Sequence, residues 1–459
     1  MFKPYQQYQD SELPWVERIP SHWQWMRNAF LLKDHCEKVG DKYTDYQLLS
    51  LSTTGIRKKD ISVTTGKVPE SYDGYQKVYS GDMVFCLFDL DCSAVFSGIS
   101  NYDGMITSAY DVAKPEESVV NGRFLKYWFD AVFSGRYYKI YSKSVRYTIN
   151  YDFFKTLKSP VPPKVEQDQI VRYLDWKTTE IDKFIHQKKK QIKKIEELKQ
   201  ARIDEASIHG VNSDRTMNHT GLDWLGEIPA HWGITRLRNN YRLQNGISES
   251  GAFFDKGTPF VNYSDVYKNR ILPTVFNDVA NSTIDQQKTF SVRAGDILFT
   301  RTSETIDEIG IASVCLKDVP QAVFSGFLIR ARAFNDRLMP EYMGLYLQSQ
   351  SVRNYFTKEM NLVIRASLGQ NLLKSLYIPV PPKEEQKRIV EYLEKTLANL
   401  NTMIKSIENE IGLLMEFRTR IISDAITGQI DVRDVVIPDY DRNTDLDDID
   451  IEENMDACI

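Results

Sequence analysis

Apolar residues return every seven positions along the last third of the chain, at Leu393, Leu400, Ile407, Leu414 and Ile421. A second row follows each by four, at Leu397, Ile404 and Ile411, then Arg418 and Ala425. Two rows at this spacing make the narrow seam of a coiled coil rather than the broad apolar face of a surface helix. The same pattern occurs earlier in a looser form. Leu174, Ile181 and Ile195 hold one row, Ile185, Ile192 and Ala206 the other, and Lys188 interrupts the seam. Each pattern predicts a helix of roughly 45 residues, about 65 Å long at about 1.5 Å per residue. The first is flanked by Lys189, Lys190, Lys193, Lys194, Glu196 and Glu197, so its seam needs a partner. The other seam matches in length and phase, which favours pairing within the chain over packing of each helix on its own globular unit.

Both helices open on a repeated sequence, PVPPKVEQDQIVRYL from Pro160 and PVPPKEEQKRIVEYL from Pro379, at a fixed offset of 219 residues. The prolines suit the start of a helix, and the glutamates that follow suit the positive end of its dipole. A second repeat lies upstream: LPWVERIPSHW at Leu13–Trp23 and LDWLGEIPAHW at Leu222–Trp232, offset by 209. The two offsets make the second unit about ten residues longer between its markers. GDMVFCLF (Gly81–Phe88) and GDILFTRT (Gly295–Thr302) repeat a turn followed by a buried strand. The chain is therefore one α+β unit plus one helix, written twice. Its segments are 1–158, a helix over 159–209, 210–376, a helix over 377–430 and an acidic tail over 431–459. The β-rich runs include ISVTTGKV and ASVCLKDV, and the helical ones FLKYWFDAVF and EYMGLYLQSQ.

At 459 residues the chain exceeds one core, and no run of about 18 apolar residues or apolar leader occurs, so a cytoplasmic protein without membrane contact is expected. Cys36, Cys86, Cys92, Cys315 and Cys458 are scattered, without metal-ligand spacing. The net charge of −5 reads against nucleic acid until the tail is set aside. Residues 431–459 hold 11 acids against 2 arginines, leaving 56 basic against 52 acidic residues elsewhere. A tail of this kind reads as solvated and mobile.

Basic residues cluster in places. Arg136, Lys139, Lys143 and Arg146 alternate with Tyr137, Tyr138, Tyr141 and Tyr147, with no acid between Asp130 and Asp152. Such a strip suits phosphates and base edges, though a solvated helix face reads the same way. In the second copy Arg365 stands at the 219 offset from Arg146, followed by Ser367, Gln370 and Asn371. Arginine fits guanine edges, and glutamine or asparagine fits adenine edges. Arg57, Lys58 and Lys59 form another basic cluster, and Arg301, Thr302 and Ser303 follow the GDILF strand. His22 and His231, in identical IP-x-HW settings, lack an acid or nucleophile at repeatable spacing and read as packing residues. Neither the phosphate loop G-x-x-x-x-G-K-[ST] nor G-x-G-x-x-G is present, and both Pro-Pro pairs read VPPK, unlike an amino-methyltransferase loop.

Two IP-x-HW motifs and two P-V-P-P-K-x-E-Q-x-x-I-V-x-Y-L motifs resemble the specificity subunit of type I restriction–modification systems, from about Leu13 to about Ile426. The resemblance implies two target recognition domains, 1–158 and 210–376, each reading half of a split DNA site. It implies two long antiparallel coiled-coil helices with pseudo-twofold symmetry, pairing through Leu174, Ile181, Ile185, Ile192, Leu393, Leu400, Ile404, Ile407, Ile411 and Leu414. The implied partners are double-stranded DNA, two modification subunits and the restriction (motor–nuclease) subunits. S-adenosylmethionine, ATP and Mg would be used by those partners, with no cofactor on this chain. Two other classes stand beside this reading: a self-contained DNA nuclease or methyltransferase, and a coiled-coil adaptor. The tail lies outside the family pattern.

Overall fold

The computed structural model describes residues 3–53, 55–60, 71–142, 146–212, 215–249, 254, 256–303, 308–359 and 366–440. The ISVTTGKV run, Lys143 and Arg365 lie outside the described residues. The fold is α+β, and the chain divides into two compact units. Unit 1 is Met1–Lys188 with Asn409–Ile459, and unit 2 is Lys189–Glu408. Each long helix thus contributes one half to each unit.

The units repeat one sheet. In unit 1 the antiparallel order is Leu32–Asp34, Asp111–Pro115, Met83–Phe85, Ser97–Ile99. In unit 2 it is Tyr241–Asn245, Leu328–Ala333, Ile297–Thr300, Ala312–Val314. The Gly-Asp pairs explain why the buried strand begins where it does. Gly81 and Gly295 take φ of +93° and +87°, and the following Asp82 and Asp296 accept the backbone N–H of Tyr79 and Arg293, both at 2.8 Å. Left-handed φ favours glycine, and the aspartate closes the turn. Met83, Val84 and Phe85, like Ile297, Leu298 and Phe299, are fully buried beyond it. Helix Gly122–Ser134 packs on the unit 1 sheet, Phe129 meeting Phe85 edge-on at 5.5 Å. Pro340–Tyr346, Gln350–Glu359 and the short Gln370–Ser375 are the helices described in unit 2 between its last sheet strand and its long helix.

The long helices run Lys164–Asp204 and Lys383–Ile426. They begin later than the prolines suggest. Lys158–Val161 and Tyr377–Val380 are strands, paired antiparallel with Gln24–Arg27 and Gly233–Arg236. The PVPP prolines therefore end an edge strand before they start a helix; edge strands tolerate the missing N–H. This pairing joins the two repeated motifs of each copy side by side.

The heptad rows hold. From Leu393 to Ile421 the sheltered positions include Leu393, Leu397, Leu400, Ile404, Ile407, Ile411, Leu414 and Arg418, with exposed residues between them. In unit 1 the helix halves run antiparallel: Asp182 meets Arg418 at 3.0 Å and Lys188 meets Glu410 at 2.5 Å. The seam lysine is thus paired across the helices rather than left as a gap. Leu174 and Ile181 share a core with Ile421, Ile422, Ala425 and Ile426, while Ile185 and Leu414 pack at its edge. In unit 2 Ile203, Ala206 and Ile208 share a core with Ile389, Leu393 and Leu397, and Ile192 is half-buried.

The tail departs from expectation up to Tyr440. Asp431 pairs with Lys3, Val435 and Ile437 pack against the unit 1 core, and Gln169 donates to the carbonyls of Val432 and Val435 at 3.0 and 2.8 Å. The apolar residues of this stretch (Val432, Val435, Ile437) outweigh its charge. Most of the tail's acids follow Tyr440, outside the described residues. Among the described residues, no helix is long and apolar enough to cross a membrane.

Candidate nucleic-acid interface

Each unit is fastened to its long helix by the Glu-Gln pair of the repeat. In unit 1 the Glu166 carboxylate, 5% exposed, accepts from Tyr5 Oη at 2.7 Å, Trp23 Nε1 at 2.8 Å and His22 Nε2 at 2.7 Å. Burial first, and the Glu166 charge next, push the Tyr5 phenol far above its ordinary range, so it remains a donor. In unit 2 Glu385 accepts from His231 Nε2 at 2.7 Å and Trp232 Nε1 at 2.8 Å. Burial would raise the Glu385 carboxyl, but the Trp232 and His231 hydrogen bonds outweigh it and hold the group below its usual range. The neighbouring glutamines complete the junction. Gln167 accepts from the Asn121 N–H and donates to Val119 and Pro162 carbonyls; Gln386 accepts from the Met339 N–H and donates to Arg337 and Pro381 carbonyls. Every polar atom of two fully buried amides is matched to backbone, which fixes the angle at which helix leaves sheet. The histidines are therefore structural donors.

In unit 2 the fold assembles residues that are distant in sequence. Beyond Thr300 the chain continues into Thr302–Ser303, which pairs antiparallel with Ala366–Ser367, Thr302 opposite Ser367. The Arg301 carbonyl accepts from Leu368 N at 2.7 Å, its N–H donates to the Phe327 carbonyl at 2.9 Å, and its guanidinium reaches the Gly326 carbonyl at 3.3 Å. Gln370 opens the short helix Gln370–Ser375 and donates through Nε2 to Asn245 Oδ1 at 2.9 Å. Asn371 beside it is exposed. Arg301, Thr302, Ser303, Ser367, Gln370 and Asn371 therefore meet at one end of the sheet, with Asn245 and an outward Phe327, 59% exposed.

Unit 1 repeats this backbone: Ile149 N donates to the Leu87 carbonyl at 2.7 Å, as Leu368 does to Arg301. Its chemistry differs, and the basic–aromatic strip is less free than its sequence implies. The fold brings in two acids from the Asp89–Asp91 loop. Arg136 and Lys139 meet Asp91 at 3.3 and 2.8 Å, and Arg146 meets Asp89 at 3.5 Å. Tyr138 is buried and donates to the Leu90 carbonyl, and Tyr137 stacks on Trp15 at 4.8 Å. Tyr141 lies edge-on to the same tryptophan, burial pushing its phenol up to about 12. Tyr147 lies under Lys139, with Nζ 4.9 Å from its ring centre. Three of the four tyrosines are thus packing residues; Arg146, 79% exposed, is the most open of the described cations of the strip. Arg57, Lys58 and Lys59 lie on or just after the hairpin Leu49–Ser52/Gly55–Lys58, Lys58 over the Tyr102 ring. The hairpin tip and Arg136 line one cavity of about 520 Å³, together with Arg418.

The sequence profile described as a type I restriction modification DNA specificity domain matches residues 243–413. The EcoKI specificity subunit of Escherichia coli K12 is 24% identical over 330 residues, 70% of this chain and 68% of its own. The EcoBI specificity subunit of Escherichia coli is 22% identical over 374 residues, 80% of this chain and 76% of its own. A chain from a solved type I restriction–modification assembly superposes with a TM-score of 0.67 at 17% identity, covering 90% of this chain and 99% of that one. The chain is similar to type I specificity subunits over most of its length.

Sequence reasoning missed three residues at the sheet ends. Asn245 and Phe327 carry no local signal, since only the strand order brings them beside Gln370. Tyr151 was findable: it stands at the 219 offset from Gln370 and begins the matching helix Tyr151–Thr156.

Proposed function

We propose that this chain is a type I specificity subunit that reads a bipartite duplex site, one half through each unit. It holds two modification subunits against that site, with the restriction (motor–nuclease) subunits completing the enzyme. The single observation behind this reading is the duplicated junction, in which the same Glu-Gln pair fastens an equivalent sheet to each long helix. Two similar readers on rigid stems suit two half-sites about one helical turn apart, roughly 34–36 Å. The chain is non-catalytic: methylating a base in duplex DNA requires the base to be flipped out, a task for the modification subunits with S-adenosylmethionine. ATP and Mg are used by the restriction subunits, and the assembly works in the cytoplasm.

The test is single-molecule sequencing of methyladenine in DNA from cells making this chain with its modification subunit. A bipartite motif with one modified adenine in each half is the expected result. An assembled complex without DNA affinity would replace this reading by an adaptor, and methylation by the purified chain alone by a self-contained enzyme.

A further inference from the structure

We infer that Gln370 is an adenine-reading residue of unit 2 and that Asn245 is the residue that positions it; this rests on the reading above. The argument starts with the amide itself. Gln370 is half-buried at the first turn of Gln370–Ser375, and one Nε2 hydrogen is committed to Asn245 Oδ1 at 2.9 Å. That bond fixes which end of the amide is the donor. It leaves the Oε1 acceptor and the second Nε2 hydrogen, one acceptor beside one donor in a plane. The major-groove edge of adenine presents the complement, an N6 donor beside an N7 acceptor.

The surroundings point the same way. Asn245 ends the strand Tyr241–Asn245 opposite Ile329, on a framework held by ladder bonds, so the positioning group is itself rigid. Arg301, paired by its backbone to both Phe327 and Leu368, brings a cation to the same sheet end. Phe327 adds an exposed apolar ring, a shape that meets a thymine methyl or a base step rather than water. Unit 1 supplies the contrast. At the equivalent backbone position Tyr151 donates to Asp34 at 3.2 Å, and Lys155 bridges Asp34 and Asp152 at 2.9 and 3.0 Å. One position with an amide pair in one copy and a phenol–carboxylate–lysine set in the other is what two different half-sites require.

The test selects duplexes from a pool randomised over the site, using the full chain with its modification subunit. Wild type should yield a bipartite motif with an adenine in the half read by unit 2. Gln370→Glu, which can only accept, should lower the preference for that adenine roughly tenfold and leave the other half unchanged. The unchanged half is the internal check that the variant folds and binds. Asn245→Ala should broaden the same position, whereas Asn245→Asp, which keeps the acceptor, should restore it. A merely structural Asn245 would weaken the whole half without changing base preference at one position. An unaltered motif with Gln370→Glu, or a uniform loss across that half, overturns the inference alone. A wild type that selects no motif overturns the proposed function and this inference with it.

Discussion

Replacing Glu166 by alanine strikes the junction where the structure makes it strongest. Three donors lose one acceptor, but they do not lose it equally. The His22 side chain is 37% exposed, so water can replace the carboxylate there. Tyr5 and Trp23 are 4% and 2% exposed, so both are left unsatisfied in the interior. A buried donor stranded this way costs about 1–3 kcal/mol, and a broken charge-assisted set about 3–5 kcal/mol in all. Glu385→Ala is the built-in comparison. There the His231 side chain is 50% exposed and only Trp232, 6% exposed, is stranded, so the cost is about 1–3 kcal/mol. The duplicated motif is thus expected to be unequal in energy, with unit 1 the more dependent on its glutamate.

A single melting curve does not resolve two units, so the measurement is hydrogen exchange followed separately in the two sheets. Glu166→Ala should speed exchange in Met83–Phe85 and Asp111–Pro115 by about two to three orders of magnitude. Glu385→Ala should speed it in Ile297–Thr300 and Leu328–Ala333 by about one to two. Glu166→Gln, which keeps one acceptor oxygen, should fall between alanine and wild type. Equal effects of the two alanine variants, or protection in unit 1 untouched by Glu166→Ala, would refute the reasoning from stranded donors.

Three further outcomes are expected. Leu400→Asp with Ile407→Asp places two carboxylates on the helix seam, where Leu400 is 8% exposed, and should abolish assembly with the modification subunit in size-exclusion chromatography; unchanged assembly would remove the seam from the account. Asp111 is lifted to about 6 by burial and then by the Asp152 and Asp34 charges, against 3.8 unperturbed. The folded state therefore holds its proton more tightly, and unit 1 loses stability as pH rises from 3.8 to about 6. Asp111→Asn should stabilise unit 1 at pH 7, with the advantage fading below pH 6 in urea titrations at several pH values. Arg146→Ala should alter only the half-site read by unit 1 in the methyladenine motif, and uniform weakening on all DNA would make Arg146 a phosphate contact.

The repeats and heptads were legible because they are consequences of one-dimensional spacing. A seam returning every seven residues is the same object in the sequence and on the helix, so Leu400, Ile407 and Ile411 are legible from spacing alone. The junction was half legible. Both Glu166 and His22 stand in repeated motifs, but the hydrogen bond joining them crosses 144 residues, and composition does not encode that distance. The surroundings of the tyrosine-rich strip were not legible, for a related reason. Its sequence lacks acids, yet Asp89 and Asp91 lie next to it once the loop after Met83–Phe85 folds over, and charge balance is a property of neighbours in space.

The same logic explains why the two reading faces resist derivation from sequence while their frame does not. Strand order, the Gly-Asp turn and the Glu-Gln junction repeat because each satisfies buried backbone or buried amide groups, and buried polar atoms admit few solutions. The residues at the sheet ends face outward and meet no such demand. Gln370 with Asn245 in unit 2 and Tyr151 with Asp34 in unit 1 occupy one backbone position with unrelated chemistry. A chain whose frame is held by interior hydrogen bonds can exchange its sheet-end side chains without destabilising the fold. Variation is then confined to the sheet ends, and under the proposed function that is the surface that would meet DNA.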